Sequence, residues 1–554
     1  MANPRRVGTL LLAALLLAAC GGDGAGVLVE SARPIESASA DDDPPPDIRP
    51  DLSVPPSSDA APDDPDDGAV GSVADPTDVD VTEPVIIEPE LAVEIPLADV
   101  VDIGGNKPAR DHDDFVAVAF TDVERWWAEQ FPLVYGTEFE PLDGGIYAGY
   151  PERSEAIPGC GERTTDYADL QLFVAFYCNF GDFMAYDDGE GRDSLLTPLA
   201  DQFGSAVMGV VLAHEYGHVI QERIGALNRP LATIVTEQQA DCFAGAWTGQ
   251  AYRGESPLLR LGDSDVRAGL LAMLNVRDPV GVNQFTPGGH GSAFDRVGAF
   301  QVGFIAGPAR CAELLDDPLP LMPNEFQPLS IDEFLGGNSP YDCDLLDPNV
   351  VGQDFIDVCR DAPEFLAEDI NHFWKVAFEG DWEPITVLRT DDLADVTCDG
   401  VRVLTPQVAI CPADRSLVYD EPEVLELYDE FGDFTLGYVY GIAAAEFAQI
   451  DLDSPLTGEA RALLNDCFTG AWVRDITPDA TGRTGRNQLD EDDDGEPDAT
   501  VVSSPGDLDE AIQMTILLGD IGVNVDNVGT AFEKIDAFRD GVLNGLGACA
   551  IPAG

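Results

Sequence analysis

The chain has 554 residues, 45% of them hydrophobic, and a formal net charge of −74 from 103 acidic against 29 basic side chains. This length suffices for two or three domains with sizeable cores. A charge of this sign repels phosphate, so we exclude nucleic acid as a partner. It is more typical of a salt-adapted surface or a composition bias than of a specific acidic function.

Residues 1–19 have the features of a secretory signal peptide. Arg5 and Arg6 precede an apolar stretch at 10–19 that is too short to span a bilayer. The signal ends in LAAC, which resembles the lipobox of bacterial lipoproteins and implies cleavage before Cys20 and lipidation of that cysteine. The alternative is an ordinary signal with an incidental cysteine. We therefore predict an exported chain that its lipid anchors to the extracytoplasmic face of the cell membrane.

Residues 20–100 are predicted to form a disordered tether. They are rich in Asp, Pro, Ala and Ser, and their basic residues are Arg33 and Arg49. Such a stretch buries too little apolar surface to fold, and its charge keeps it extended. Its expected role is to space the folded part of the chain from the membrane.

The remainder of the chain is internally repeated. Four landmarks recur in the same order: Tyr186-Asp187 at 419–420, residues 201–221 at 429–449, DCFAGAW of 241–247 as DCFTGAW at 466–472, and residues 291–311 at 529–549. Self-similarity in a fixed order is the signature of a duplicated structural unit. We predict two copies of one domain, residues 101–311 and 367–554, joined by a connector at 312–366.

The cysteines fit this duplication. Of the 11 cysteines, Cys20 belongs to the signal and the remaining ten are an even number, so disulfides are expected in an exported chain. Because each copy should fold alone, the bridges should stay within copies or within the connector. The predicted pairs are Cys160–Cys178, Cys242–Cys311, Cys343–Cys359, Cys398–Cys411 and Cys467–Cys549. The alternative is that some cysteines, notably Cys242 and Cys467, are buried free thiols.

A buried helix is predicted at residues 203–224, and it contains HEYGH. The i, i+4 spacing places the imidazoles of His214 and His218 one turn apart on one face, where both can bind one metal ion. Glu215 can face the open coordination position of that metal. The alternative is a pair of structural histidines, which a short pattern alone does not exclude.

A third protein ligand is expected in the next helical stretch, TEQQADCFAGAW at 236–247. A zinc site needs three protein ligands besides the water, and Glu237 is the candidate. Asp241, one turn further on the same face, is expected to accept a hydrogen bond from a ligand histidine. The alternative is a solvated acidic pair, which the apolar residues that follow make less favourable.

HEYGHVIQ followed by EQQADCFAGAW, preceded by FYC and followed by HGSAFDRV, resembles the bacterial neutral zinc metallopeptidases of the gluzincin type over about residues 160–311. The resemblance implies a zincin-like, helix-rich α+β fold, here in two tandem copies after the tether. It also implies a Zn²⁺ ion bound by His214, His218 and Glu237, with Glu215 as the catalytic residue.

His290 lies at the HG position of the same family pattern. A peptidase needs a donor for the developing oxyanion, and we assign His290 to this role. A loop histidine at this place could equally cap a helix. The chain has Asp295-Arg296 where the family has Gln-Arg, and we assign no role to this pair.

These residues predict a zinc metallopeptidase that acts on a peptide or protein substrate. Zinc lowers the pKa of its bound water toward about 7. Glu215 takes the proton from this water and delivers it to the leaving amine. The alternative is a non-catalytic cell-envelope binding or scaffold protein that retains a zinc site.

The second copy lacks this chemistry. The alignment places Ile442, Ala443, Glu446 and Ala462 at the positions of His214, Glu215, His218 and Glu237. We therefore predict a degenerate second domain without metal ligands and one zinc ion per chain, in which Asp466 no longer holds a metal ligand.

An acidic loop at 490–498 resembles calcium-binding loops. Its oxygen donors would be Asp490, Asp492, Asp494 and Asp498, but position 12 is Val501 instead of the usual glutamate. In so acidic a chain, a solvated loop is the favoured interpretation, and a Ca²⁺ site is the alternative.

Overall fold

The structure of the chain is a computed structural model. The described residues are 88–161, 163–165, 173–190, 194–279, 282–322, 362–432, 434–477, 505–519 and 529–549, together with 167, 170, 324 and 503. The signal peptide, Cys20, most of the tether, the Cys343–Cys359 pair and the acidic loop at 490–498 lie outside them. Within these ranges, no helix has the length and apolarity that a membrane span requires.

The described residues form a helix-rich α+β fold, as the sequence predicts, and they belong to a single compact unit. We refer to described residues up to 324 as the first half and to those from 362 as the second half. The domain boundaries drawn from the sequence stay a prediction.

In the first half, helices surround a small sheet. Its helices are α1 (Asp113–Tyr135), α2 (Leu196–Phe203), α3 (Ala206–Arg223), α4 (Thr233–Tyr252), α5 (Asp263–Asn275), α6 (Ala293–Ala306) and α7 (Pro308–Glu313). Its strands are β1 (Glu90–Leu91), β2 (Ile146–Gly149), β3 (Ile157–Cys160), β4 (Arg163–Thr165), β5 (Ala175–Cys178), β6 (Phe183–Asp187) and β7 (Leu259–Arg260). The main sheet has the order β2-β6-β5, with β2 parallel and β5 antiparallel to β6, so β5 is an edge strand.

The second half repeats this arrangement. Its helices are α8 (Ala362–Ala377), α9 (Glu421–Phe431), α10 (Phe434–Asp451), α11 (Gly458–Ile476), α12 (Pro505–Gly519) and α13 (Ala531–Asn544). Its strands are β8 (Thr386–Thr390), β9 (Arg402–Thr405), β10 (Val408–Cys411) and β11 (Ser416–Asp420). The sheet order is β8-β11-β10-β9, in which β8, β11 and β10 correspond to β2, β6 and β5. The extra strand β9 pairs antiparallel along the outer edge of β10.

Two sequence expectations need correction. Residues 88–100 were assigned to the tether, but β1 pairs with β7, and apolar side chains such as Val93 and Ile95 pack on the core. The reason is local, since EPELAVEIPL is richer in apolar residues than the rest of the tether. The helix expected from residue 203 begins at Ala206, because Gly204 has φ 102° and ends the preceding helix.

The same helix packing occurs in both halves. A Cβ added to Gly245 in α4 would lie 1.9 Å from the carbonyl oxygen of Phe300 in α6. The equivalent Gly470 in α11 would place a Cβ 2.0 Å from the carbonyl oxygen of Phe538 in α13. Only glycine permits this approach of two backbones, which explains why the repeated heptapeptide keeps its glycine.

Buried polar contacts are repeated as well. The indole N–H of Trp247 donates to Asp122 at 3.0 Å, and that of Trp472 donates to Asp369 at 2.7 Å. Each bond joins the last aromatic residue of the heptapeptide to the first helix of its own half. The internal repeat that the sequence predicts is therefore present as matching elements with matching contacts.

Four predicted disulfides are confirmed. They are Cys160–Cys178, Cys242–Cys311, Cys398–Cys411 and Cys467–Cys549, so Cys242 and Cys467 are not free thiols. Disulfides persist in oxidising compartments, and these bridges indicate an extracytoplasmic protein. The lipid on Cys20 stays a prediction.

Replacing Cys242 and Cys311 together by alanine should lower the free energy of unfolding by about 2–5 kcal/mol. The bridge ties α4 to α7 across a sequence separation of 69 residues, so its loss frees a long loop in the unfolded chain. Urea denaturation of the full chain measures the effect. The matched control is the double alanine variant of Cys160 and Cys178, whose separation of 18 residues gives a loss about 1 kcal/mol smaller. An unchanged denaturation midpoint for the first variant contradicts the prediction.

The two halves pack against each other through α5 and α6 on one side and α12 and α13 on the other. Arg539 donates to the Gln301 side chain at 3.4 Å, and these two residues occupy equivalent positions of the repeat. The rings of Phe304 and Phe532 lie 4.6 Å apart beside them. Equivalent residues of two copies also meet at an interface with two-fold symmetry. The halves thus pack as an internal dimer would.

Candidate active site

The side chains of His214, His218 and Glu237 meet between α3 and α4, and all three are buried. His214 Nε2 lies 3.2 Å from one carboxylate oxygen of Glu237, and His218 Nε2 lies 3.6 Å from the other. One potential ligand atom from each residue lies within 4.8 Å of the others. The i, i+4 spacing on α3 and the packing of α4 across it bring about this convergence.

The other ring nitrogen of each histidine has its own partner. His214 Nδ1 is 2.7 Å from Asp241 Oδ1, and His218 Nδ1 is 2.9 Å from Gln221 Oε1. The amide of Gln221 is itself fixed, because it donates to the Thr236 carbonyl at 2.7 Å. A proton on each Nδ1 leaves the Nε2 lone pairs directed toward Glu237, which is how ligand histidines are oriented in metal sites.

These residues fit a metal ion. Glu237 Oε2 is buried and has no hydrogen bond of good geometry, although His214 Nε2 is 3.2 Å away. The atoms therefore point at a common position rather than at each other. Two imidazole nitrogens and one carboxylate form a donor set typical of zinc sites that keep an open position for water.

The titratable side chains of this cluster shift one another's pKa values. Burial by itself would raise the pKa of Glu237, but the positive charge of His218 and His290, with the His214 ring close by, holds it well below its usual range. Burial would lower the pKa of His214, but Asp241 and Glu237 raise it to about 10. Metal binding must displace protons from these imidazoles, so we expect the metal affinity to fall as the pH falls.

Arg296 is a site residue to which the sequence analysis assigned no role. Its guanidinium binds both carboxylate oxygens of Asp241, at 2.7 and 3.0 Å, and lies 3.4 Å from His214 Nδ1. Burial would raise the pKa of Asp241, but Arg296 and His214 lower it. One signal could have revealed this role: Lys534 at the equivalent position of the repeat is also basic.

In the second half, Asp466 takes the place of Asp241 and has different partners. Lys534 Nζ lies 2.6 Å from one of its oxygens, and the Tyr438 hydroxyl donates to the other at 2.5 Å. A phenol thus replaces the imidazole of His214. The sequence predicts only that Asp466 loses its metal ligand, whereas in the structure it keeps a basic partner and gains a new donor.

Glu446, at the position of His218, is also neutralised by neighbours. Arg402 from β9 donates to it at 2.8 Å, Arg461 lies 2.7 Å away, and Asn465 donates at 3.1 Å. Among the described residues of the second half, no three potential metal ligands come together.

The side chains of His214, His218 and Glu237 line an open cleft. Glu215 and His290 both line it, and the edge strand β5 forms one wall. The His290 ring is 34% exposed, its Nδ1 lies 3.4 Å from Asp278, and its backbone N–H donates to Asp278 at 2.8 Å. The N-cap of α6 is Ser292, so His290 does not cap that helix. The roles assigned to these residues stay predictions.

Comparison with known proteins agrees with this geometry for the first half. Residues 79–314 match the family model described as Putative neutral zinc metallopeptidase. The chain is 32% identical over 170 residues to Uncharacterized protein Rv2575 of Mycobacterium tuberculosis (strain ATCC 25618 / H37Rv), which covers 27% of this chain and 55% of the relative. It is 28% identical over 223 residues to Uncharacterized protein YpfJ of Escherichia coli (strain K12), which covers 36% and 69%.

The chain thus spans about half the length of its mycobacterial relative. No solved structure gives a significant match. The family match begins ahead of β1 and ends just after α7, so it contains the whole cluster of His214, His218 and Glu237. Residues 79–314 are therefore similar in sequence to the neutral zinc metallopeptidase family, and they contain a buried group of three potential metal ligands.

Proposed function

We propose that the chain is an extracytoplasmic zinc-dependent peptidase, with His214, His218 and Glu237 as the ligands of one zinc ion. The observation that carries this proposal is the orientation of the histidines. Both Nδ1 atoms are engaged by acceptors, and both Nε2 atoms face the Glu237 carboxylate. Structural histidines have no need of this arrangement, whereas a metal site depends on it.

The residues of the cleft supply the remaining chemistry. Zinc, when bound, activates water and polarises the scissile carbonyl. Glu215 accepts a proton from the attacking water and returns it to the leaving amine. His290, which lines the same cleft, donates a hydrogen bond to the developing oxyanion. Asp241 keeps the His214 ring in place, and Gln221 does the same for His218.

The cleft suits an extended peptide. β5 is an edge strand of its sheet in the described part of the chain, and four residues from Val174 to Tyr177 line the cleft. A substrate segment can add to such an edge through backbone hydrogen bonds. Phe173, Phe176 and Leu195 add apolar surface, so we propose that the substrate carries an apolar side chain near the scissile bond.

The proposal extends to the whole chain. Both halves would be zincin-like domains, the second degenerate, as the absence of a ligand cluster from its described residues supports. Cys20 would carry the lipid that anchors the chain to the membrane, with the tether as spacer. The substrate would reach the cleft on the extracytoplasmic side.

The test is to measure bound zinc and peptide-bond cleavage on the full chain. We expect one zinc ion per chain and cleavage of a denatured protein, which a chelator abolishes and added zinc restores. A zinc ion bound by residues of the second half would contradict its proposed degeneracy. One zinc ion without cleavage of any denatured protein or of the chain's own tether would favour a scaffold that retains a zinc site.

A further inference from the structure

The second half contributes a buried carboxylate to the first half. Asp509 on α12 is 1% exposed, and it lies where α12 packs against α5 and α6. One of its oxygens accepts the Phe294 backbone N–H at 3.3 Å, in the first turn of α6. The other lies 2.8 Å from Nε of Arg277. Its partners thus come from the catalytic half.

The position of the Phe294 contact suits a carboxylate. The first N–H groups of a helix have no partner within the helix, and the helix dipole favours a negative charge there. Asp509 therefore stabilises the N-terminus of α6 from outside. This helix also carries Arg296, which holds Asp241 and through it His214.

Arg277 belongs to a short segment that connects α5 to the active-site loop. On one side of it, the Val276 carbonyl accepts a hydrogen bond from Arg296 at 2.5 Å. On the other side, Asp278 accepts the backbone N–H groups of His290 and Gly291, both at 2.8 Å. Fixing the Arg277 side chain thus fixes a segment whose neighbours bind two different parts of the site.

We propose that Asp509 is a positioning residue for the catalytic half, which the degenerate half supplies. It acts on the loop of His290 through Arg277 and Asp278, and on Arg296 through the N-terminus of α6. The catalytic consequence rests on the proposed peptidase function, whereas the ordering of the loop does not. The second half then helps to position active-site residues of the first half.

The test compares two neighbouring acids on α12. Asp509→Asn keeps the size of the side chain and removes the charge that binds Arg277. The matched control is Glu510→Gln, because Glu510 also accepts the N–H of a helix start, that of Phe434, but within the second half. We expect Asp509→Asn to lower kcat/KM about 10–100-fold, mainly through kcat, with zinc still at one per chain. Glu510→Gln should leave kcat/KM unchanged even if it lowers Tm as much as Asp509→Asn does.

A double-mutant cycle tests the route. If Asp509 acts through Arg277, then Arg277→Gln should lower kcat/KM in the same way, and the double variant should cost little more than either single one. Additive losses in kcat/KM would mean that the two residues act independently. An equal loss of kcat/KM in Asp509→Asn and Glu510→Gln would mean that Asp509 contributes only to the overall stability of the chain. Either result overturns the proposal.

Hydrogen exchange gives a readout that needs no catalysis. In Asp509→Asn, the backbone amides of His290, Gly291 and Phe294 should exchange at least about tenfold faster, with those of α3 unchanged. Unchanged exchange at this loop overturns the proposal even if the chain proves to be a peptidase. Faster exchange in a chain without any cleavage would retain the structural role and reject the proposed function. Should Asp509→Asn fail to fold, Arg277→Gln, whose side chain is 26% exposed, serves for the same measurement.

Discussion

Replacing Glu215 with glutamine is expected to lower kcat/KM by about 10²–10⁴-fold while the chain keeps its zinc ion. Glutamine has the size of glutamate but does not accept a proton from the attacking water at neutral pH. Glu215 lines the cleft and is not among the three buried ligands, so the metal should stay. Steady-state cleavage of a peptide and metal analysis of the same sample check both parts.

A matched control for this substitution lies on the same helix. Glu222 follows Glu215 by two turns of α3 and does not line the cleft, so Glu222→Gln should leave kcat/KM unchanged. Activity that survives Glu215→Gln would show that another group is the base. Loss of zinc together with activity would show that Glu215 contributes to metal binding instead.

Replacing Arg296 with methionine is expected to cost about 3–5 kcal/mol of unfolding free energy and about 10–100-fold in zinc affinity. Asp241 is wholly buried, and its carboxylate loses the guanidinium that compensates its charge. The stability loss follows from that uncompensated charge. The affinity loss follows because Asp241 no longer holds His214 in place. Urea denaturation and competition with a chelator measure the two effects separately.

The repeat supplies the control for this experiment. Lys534→Met removes the ammonium that binds Asp466 in the second half, whose described residues hold no cluster of potential metal ligands. We expect a similar loss of stability and an unchanged zinc affinity. Arg296→Lys should lose less stability and less zinc affinity than Arg296→Met, because Lys534 shows that an ammonium can bind the equivalent Asp466. If both methionine variants lowered zinc affinity equally, the effect of Arg296 would be a general loss of stability.

The metal cluster and the disulfides were predictable because their signals are local or repeated. The spacing of His214 and His218 fixes their relative position on any α-helix, and the two matching sets of cysteines restricted the pairing. Arg296 was not predictable in this way. Its contact with Asp241 joins two helices across 55 residues, and the traces in the sequence are the arginine that the family pattern has at this position and a basic residue at both positions of the repeat.

Other features depend on tertiary packing that has no repeat to reveal it. Arg402 lies on β9, which follows Cys398 as β4 follows Cys160. However, β9 pairs with β10, whereas β4 pairs with β3 in a separate sheet, so the repeat does not predict that Arg402 lies beside Glu446. The contact of Asp509 with Arg277 joins the halves, and the sequence analysis had treated each half as folding alone. A repeated motif predicts the contacts that both copies share. Among the described residues, these two contacts occur in one place only, so the repeat does not predict them.

Strand β9 covers a sheet edge in the second half that corresponds to the edge of β5 in the first half. Backbone groups along the outer edge of β10 are hydrogen-bonded to β9. Arg402, at the start of β9, donates to Glu446, the residue that aligns with His218. The corresponding edge of β5 is unpaired in the described part of the first half. The same sheet edge is thus covered by a strand in the second half and uncovered in the described part of the first half. If a substrate segment adds to β5 as we propose, β9 gives its expected direction, antiparallel to the edge strand.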